Sequence, residues 1–286
     1  MIYKQYDQES LNKQYNNRFN VPDHERHLDN WELLSRQAEK KYFFYKDIPY
    51  GSLSAETLDI FPSAKPSSKT LVFIHGGYWY KHKPADFYLV ADAFRNYGVT
   101  TVLIGYPLMP AFSLDQLVLS CRKAIQWVHK NISQYSGNAE EMYVSGHSAG
   151  AHLASMMMTT EWPQFNPQLK ADTIKGVCAI SGLYNLVPVQ LCYVNDTLQM
   201  NIETAWRNSP VQLKPETDCP LVLAVGAKET PEYLAQSREL YTNWTEKKAT
   251  AELLEIAGED HFSILATMLD HSSPLHQSMC RLMQII

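Results

Sequence analysis

Residues Tyr143–Ser155 read YVSGHSAGAHLAS, and the pentapeptide Gly146-His147-Ser148-Ala149-Gly150 inside them spells G-x-S-x-G. The run just before it, MYVSG, is short and apolar, as expected of a buried strand. The run just after it, SAGAHLASMMMT, is rich in small residues and predicts a helix. A serine in that position sits at the tip of a sharp strand-to-helix turn. Side chains at Gly146 or Gly150 would collide with the neighbouring strand or helix. The hydroxyl then points out at the carboxyl end of a sheet, above a helix N-terminus that favours developing negative charge. In an isolated loop the pentapeptide would mean little. In this context Ser148 is a candidate nucleophile.

Working outward, strands and helices alternate. ETLDIF, TLVFIHG, VTTVLIGYP, EMYVSG, IKGVCAIS, CPLVLAVGA and TAELLEIAG predict strands. PADFYLVADAFRNYG predicts a helix with Gly98 as its C-cap. SLDQLVLSCRKAIQWVHKNIS, PEYLAQSRELYTNWTEKK and the segment after Phe262 predict further helices. This rhythm argues an α/β fold, with a mostly parallel sheet covered by helices on both faces. Nearly thirty residues, 182–210, interrupt it and read as an insertion or lid. Residues 1–40 are polar with helical spacing and read as a cap-like segment. The expectation is a single domain over 1–286, partly capped by these two segments.

Net charge is −5 over 286 residues, which excludes a basic nucleic-acid footprint. The five cysteines are scattered, without C-x-x-C spacing, so neither a disulfide framework nor a zinc site is implied. No H-E-x-x-H or comparable ligand cluster appears, and no metal is expected. The N-terminus is polar without an apolar core of a signal peptide, and no run is long and apolar enough to span a membrane. A cytoplasmic protein acting on a small molecule, with no nucleic-acid or membrane partner, is the expectation. A homodimer stays open.

A serine hydroxyl is a poor nucleophile without a base, an orienting acid and an oxyanion hole. Where the serine sits on such an elbow, acid and histidine follow it in the chain, in that order. His261, in AGEDHFS straight after the last predicted strand, is the candidate base. His271 and His276 fall in the C-terminal helical region. His152 lies in the serine helix and cannot fold back onto Ser148. The favoured acid is Glu229, first carboxylate after LVLAVGA, with Glu232 and Asp196 as alternatives. FIHGGYWYKHK ends an earlier strand, and its two glycines let the backbone approach a substrate. Gly77 and Tyr78, with Ala149, are the expected oxyanion donors. His75 is expected to hold that loop. Trp79, Tyr184 and Tyr193 are the expected substrate-binding aromatics, with core packing the competing role for Trp79.

HGGYW, GHSAGAHLA, GAKETPEYLAQS and GEDHFS together resemble the kynurenine formamidase (arylformamidase) branch of the α/β-hydrolase superfamily. YNNRFNVPDH and the RNSP-containing insertion are similar to segments of bacterial members. The resemblance spans most of the chain. It implies an α/β-hydrolase fold, no cofactor, and cleavage of N-formyl-kynurenine to formate and kynurenine in tryptophan breakdown. Carried over by position, Ser148 is the nucleophile, His261 the base and Glu229 the acid. The family pattern has aspartate where this chain has Glu229. A carboxylesterase for short acyl esters is the alternative activity.

Overall fold

The computed structural model describes residues 1–286. Its eight strands are β1 (Tyr45–Pro49), β2 (Thr57–Phe61), β3 (Ser68–Ile74), β4 (Thr100–Ile104), β5 (Gly137–His147), β6 (Gly176–Ile180), β7 (Leu221–Gly226) and β8 (Ala251–Ile256). They form one sheet in the order β1-β2-β4-β3-β5-β6-β7-β8. Only β2 runs against its neighbours; every pair from β4 across to β8 is parallel.

Strand residues alternate between two cores. Val72, Ile74, Val144, Leu223 and Val225 enter one, while Leu71, Phe73, Tyr143, Val222 and Ala224 enter the other. Both faces are therefore apolar, which is why these strands read as continuous hydrophobic runs. The helices Leu114–Asn131, Ala149–Met158 and Pro231–Glu246 cover the first face through residues such as Leu117, Leu153 and Leu240. The helices His24–Lys41, Leu89–Ala93 and Pro274–Leu282 cover the second through Trp31, Leu89 and Met279.

Two local expectations differ from the structure. β1 went unread because YKDIP has no buried residue and ends in proline; it is an edge strand whose only strand partner is β2. The expected helix from Pro84 to Tyr97 is instead a 3-10 turn (Pro84–Phe87), a short helix (Leu89–Ala93) and a second 3-10 turn (Arg95–Tyr97). The break is bridged from outside. The Ser35 hydroxyl accepts the Leu89 N–H (3.2 Å) and donates to the Asp86 carbonyl (3.0 Å), taking up backbone groups a continuous helix would have paired. Gly98 closes the segment at φ 76°.

The N-terminal segment and the insertion both pack near the carboxyl ends of the strands. Thr230 donates to the Gln14 carbonyl (2.8 Å), and Gln236 donates to the Tyr15 hydroxyl (2.8 Å). The Gln236 side-chain oxygen also accepts the N–H groups of Tyr184 (2.6 Å) and Asn185 (2.9 Å), anchoring the start of the insertion. The two segments touch each other where the Tyr193 N–H meets the Asn12 side chain at 2.8 Å. No helix is long and apolar enough to cross a membrane.

Candidate active site

Ser148 follows β5 directly and caps the helix Ala149–Met158, with φ 57° and ψ −120°. A non-glycine residue held there costs about 1–3 kcal/mol, so its surroundings must impose the conformation. They do. The Ser148 N–H is tied to the Ile180 carbonyl at 2.8 Å. A Cβ at Gly146 would lie 2.3 Å from the Gly150 carbonyl oxygen, and one at Gly150 only 2.0 Å from that of Ile74. The turn can be this tight only with glycine at both positions.

Ser148 Oγ lies 3.1 Å from His261 Nε2, and His261 Nδ1 lies 2.7 Å from Glu229 Oε2. All three residues are buried. The carboxylate can only accept at Nδ1, so it sets the tautomer and leaves Nε2 free to take the serine proton. The other Glu229 oxygen accepts from the Ser181 hydroxyl (2.5 Å) and the Gly226 N–H (2.9 Å). Three donors thus hold this glutamate in place despite its extra methylene. The alternative acids lie elsewhere: Glu232 faces Lys4 at 3.4 Å, and Asp196 is exposed in the insertion.

His147 supports His261 from behind. Its Nε2–H donates to the His261 carbonyl at 2.8 Å, and the two rings are 4.9 Å apart. Burial, with the neighbouring His261 adding to it, pushes the His147 pKa well below its usual value. A neutral His147 places no second positive charge against an imidazolium on His261.

The loop after β3 bends sharply past Ser148. Gly77 has φ 106°, and a Cβ there would lie 2.5 Å from the Lys81 carbonyl oxygen; Tyr78 is also left-handed at φ 48°. The N–H groups of Gly77, Tyr78 and Ala149 donate to no acceptor in the protein. The Tyr78 hydroxyl donates to the Tyr15 carbonyl (2.6 Å) and meets the Tyr233 hydroxyl (2.9 Å), which also accepts from Asn17 (2.9 Å). Tyr233 in turn packs edge-on against His261, 4.8 Å between centroids. His75 holds the loop's other side: its Nδ1 lies 2.9 Å from the Gly76 carbonyl, and burial lowers its pKa to about 4.

A cavity of about 300 Å³ opens over Ser148 and His261. Gly77, Tyr78 and Tyr193 line it, as does an aromatic group of Trp31, Phe87 and Phe262. Trp79 and Tyr184, expected in this wall, are not part of it; both are fully buried. Trp79 points inward and donates its indole N–H to His152 Nδ1 (3.2 Å), while His152 Nε2 donates to the Asn208 carbonyl (2.7 Å). It joins the loop after β3 to the serine helix and the insertion. Tyr184 is turned inward, its hydroxyl 3.5 Å from the Ala179 carbonyl and its backbone N–H held by Gln236 at 2.6 Å. Trp206 is exposed and does not line the cavity.

The BD-FAE family model matches residues 58–243. A kynurenine formamidase of Salmo salar is 34% identical over 247 residues, covering 83% of this chain and 81% of its own. The chain belongs to the BD-FAE family of α/β hydrolases, on the kynurenine formamidase branch. Esterase LipC of Mycobacterium tuberculosis is 26% identical over 150 residues, 51% of this chain and 37% of its own. The crystal structure of a thioesterase candidate from Silicibacter sp. TM1040 superposes with a TM-score of 0.81 at 22% identity, over 93% of this chain and 97% of that one; at that identity it shares the fold.

For this hydrolase, sequence reasoning missed Trp31, Phe87, Phe262, His147 and Ser181. Phe262 and His147 adjoin His261 and Ser148, and that adjacency was the available signal. Trp31 lies over 100 residues before Ser148, inside a helix whose pattern reads only as amphipathic.

Proposed function

We propose that the enzyme is a serine hydrolase that removes a small acyl group from an aryl leaving group, with an aryl formamide such as N-formyl-kynurenine as the principal substrate. The observation that carries this reading is the hydrogen-bonded chain Ser148–His261–Glu229 at the floor of an aromatic-walled cavity. The 34% identity with a kynurenine formamidase supports the formamide. Such an activity belongs to tryptophan catabolism in the cytoplasm. We read residues 1–286 as one hydrolase domain, with 1–40 and 182–210 forming its partial cap.

In this mechanism His261 takes the proton from Ser148 as the oxygen attacks the formyl carbon. The tetrahedral oxyanion is held by the N–H groups of Gly77, Tyr78 and Ala149. Glu229 stabilises the imidazolium, and neutral His147 does not oppose it. His261 then protonates the leaving aryl amine. Water, activated by the same histidine, attacks the formyl-enzyme, and formate leaves as Ser148 recovers its proton. Trp31, Phe262 and Tyr193 hold the leaving ring, chiefly through buried apolar area.

Cleavage of short-chain acyl esters is the second reading, favoured by the likeness to esterase LipC. Measuring kcat/KM along aryl esters from formyl to butyryl, with N-formyl-kynurenine alongside, decides between them. The formamidase reading expects formamide turnover and a fall in rate as the acyl chain lengthens. A maximum at butyryl with no formamide cleavage would overturn it.

A further inference from the structure

The cavity has an uneven electrostatic lining. No aspartate or glutamate is among the residues that line it, although the chain carries 30 acidic against 25 basic residues. Two cations do line it, Arg18 and Lys81, both exposed at the mouth. Neither makes an ion pair or a side-chain hydrogen bond. The carboxylates close to this region are committed elsewhere: Asp86 to His82 at 2.8 Å, Glu229 to its three donors beneath His261, and Asp260 to the N–H groups of Phe262 (2.8 Å) and Ser263 (2.9 Å), with His27 3.8 Å away.

Resting on the aryl-acyl reading above, we propose that Arg18 and Lys81 form an anion subsite that selects substrates whose aryl leaving group carries a carboxylate. The placement suits that role. Lys81 is one turn beyond the oxyanion loop, its N–H bound to the Gly77 carbonyl at 3.0 Å, and its ammonium lies 5.0 Å from the centre of the Tyr80 ring. Arg18 lines the same cavity from the N-terminal segment. Burial raises the pKa of the Tyr80 and Tyr193 phenols, and the Arg18 charge acts on both in the opposite direction. The backbone beside Arg18 is anchored, because Asn17 is buried and bonded to Tyr233.

With the acyl oxygen among the Gly77, Tyr78 and Ala149 N–H groups, the leaving ring extends from the floor toward this mouth. A carboxylate on the ring meets a guanidinium fork and an ammonium that no protein anion neutralises. An ammonium on the ring meets no carboxylate and keeps its hydration only by facing solvent. The subsite therefore discriminates by charge, while the aromatic wall below it discriminates by shape.

Carboxylate and carboxamide pairs test this. For 4-formamidobenzoate against 4-formamidobenzamide, and 4-acetoxybenzoate against 4-acetoxybenzamide, kcat/KM is measured on wild type, Arg18→Gln, Lys81→Gln and the double variant. The double variant supplies the ratio set by intrinsic reactivity. The wild-type ratio should exceed it by about tenfold at low salt, with each single variant between, and the excess should shrink as salt screens the exposed charges. Calorimetric binding of 4-aminobenzoate against 4-aminobenzamide reads the same subsite without turnover. Equal carboxylate preference in wild type and double variant, by rate or by binding, overturns the subsite. Absence of formamide cleavage alongside an intact binding preference overturns the formamidase reading and leaves the subsite standing.

Discussion

The serine turn and the cavity mouth contrast in how they are made. The turn is built from residues consecutive in sequence, packed between β3, β5 and β6 with no room to vary: a single carbon added at Gly150 would lie 2.0 Å from a backbone oxygen. The mouth is gathered from the N-terminal segment, the loop after β3, the insertion and the loop after β8, and is lined by side chains such as Arg18, Lys81, Tyr193 and Phe262. A site of the first kind fixes the reaction and tolerates almost no change. A site of the second kind can alter its substrate by exchanging side chains while the chemistry below it stays the same.

The contrast breaks most readily at its rigid end. Ser148→Ala should lower kcat by about 10³-fold or more while the fold survives, since only the hydroxyl is lost. Near wild-type turnover in the purified variant would remove the mechanism. Glu229→Gln comes next, with an expected loss in kcat of roughly 10²–10⁴-fold, because an amide cannot stabilise the imidazolium. Glu229→Asp should be milder, although the shorter side chain must still satisfy Ser181 and Gly226. If Glu229→Gln were nearly silent and Glu232→Gln crippling, the acid would have to be reassigned.

The two tryptophans sharpen the comparison. Trp79 is buried in the framework, so Trp79→Ala should cost about 3–5 kcal/mol of stability, read from denaturant unfolding. Trp31 lines the cavity. Trp31→Phe should spare most of the stability and lower kcat/KM for aryl substrates by roughly 10-fold, corresponding to about 1.4 kcal/mol of lost ring contact, while small alkyl esters change little. Equal losses on aryl and alkyl substrates would place Trp31 in the framework too.

What could be read from the chain follows the same division. Seven of the eight strands, the α/β class, the glycine-rich loop and the meeting of Ser148, His261 and Glu229 in one hydrogen-bonded chain were legible, because each depends on neighbours in sequence: apolar runs, a strand-to-helix turn, a carboxylate or histidine just past a strand end. β1 was not, because an exposed edge strand has no burial pattern to announce it. The aromatic wall was misread for a related reason. Trp79 and Tyr184 sit beside the right loops in sequence, yet the direction of a side chain is set by what packs around it. His152 and Asn208 draw Trp79 inward, Gln236 holds the backbone at Tyr184, and Trp31 arrives from a distant helix to stand edge-on to His147 in the cavity wall. The sequence alone determined the sheet, the chain order of Ser148, Glu229 and His261 and the hydrolase class, since strand alternation and turn geometry are local. Only the tertiary structure decided which rings and charges face the substrate, because a cavity is the space left between segments that meet nowhere but in the folded chain.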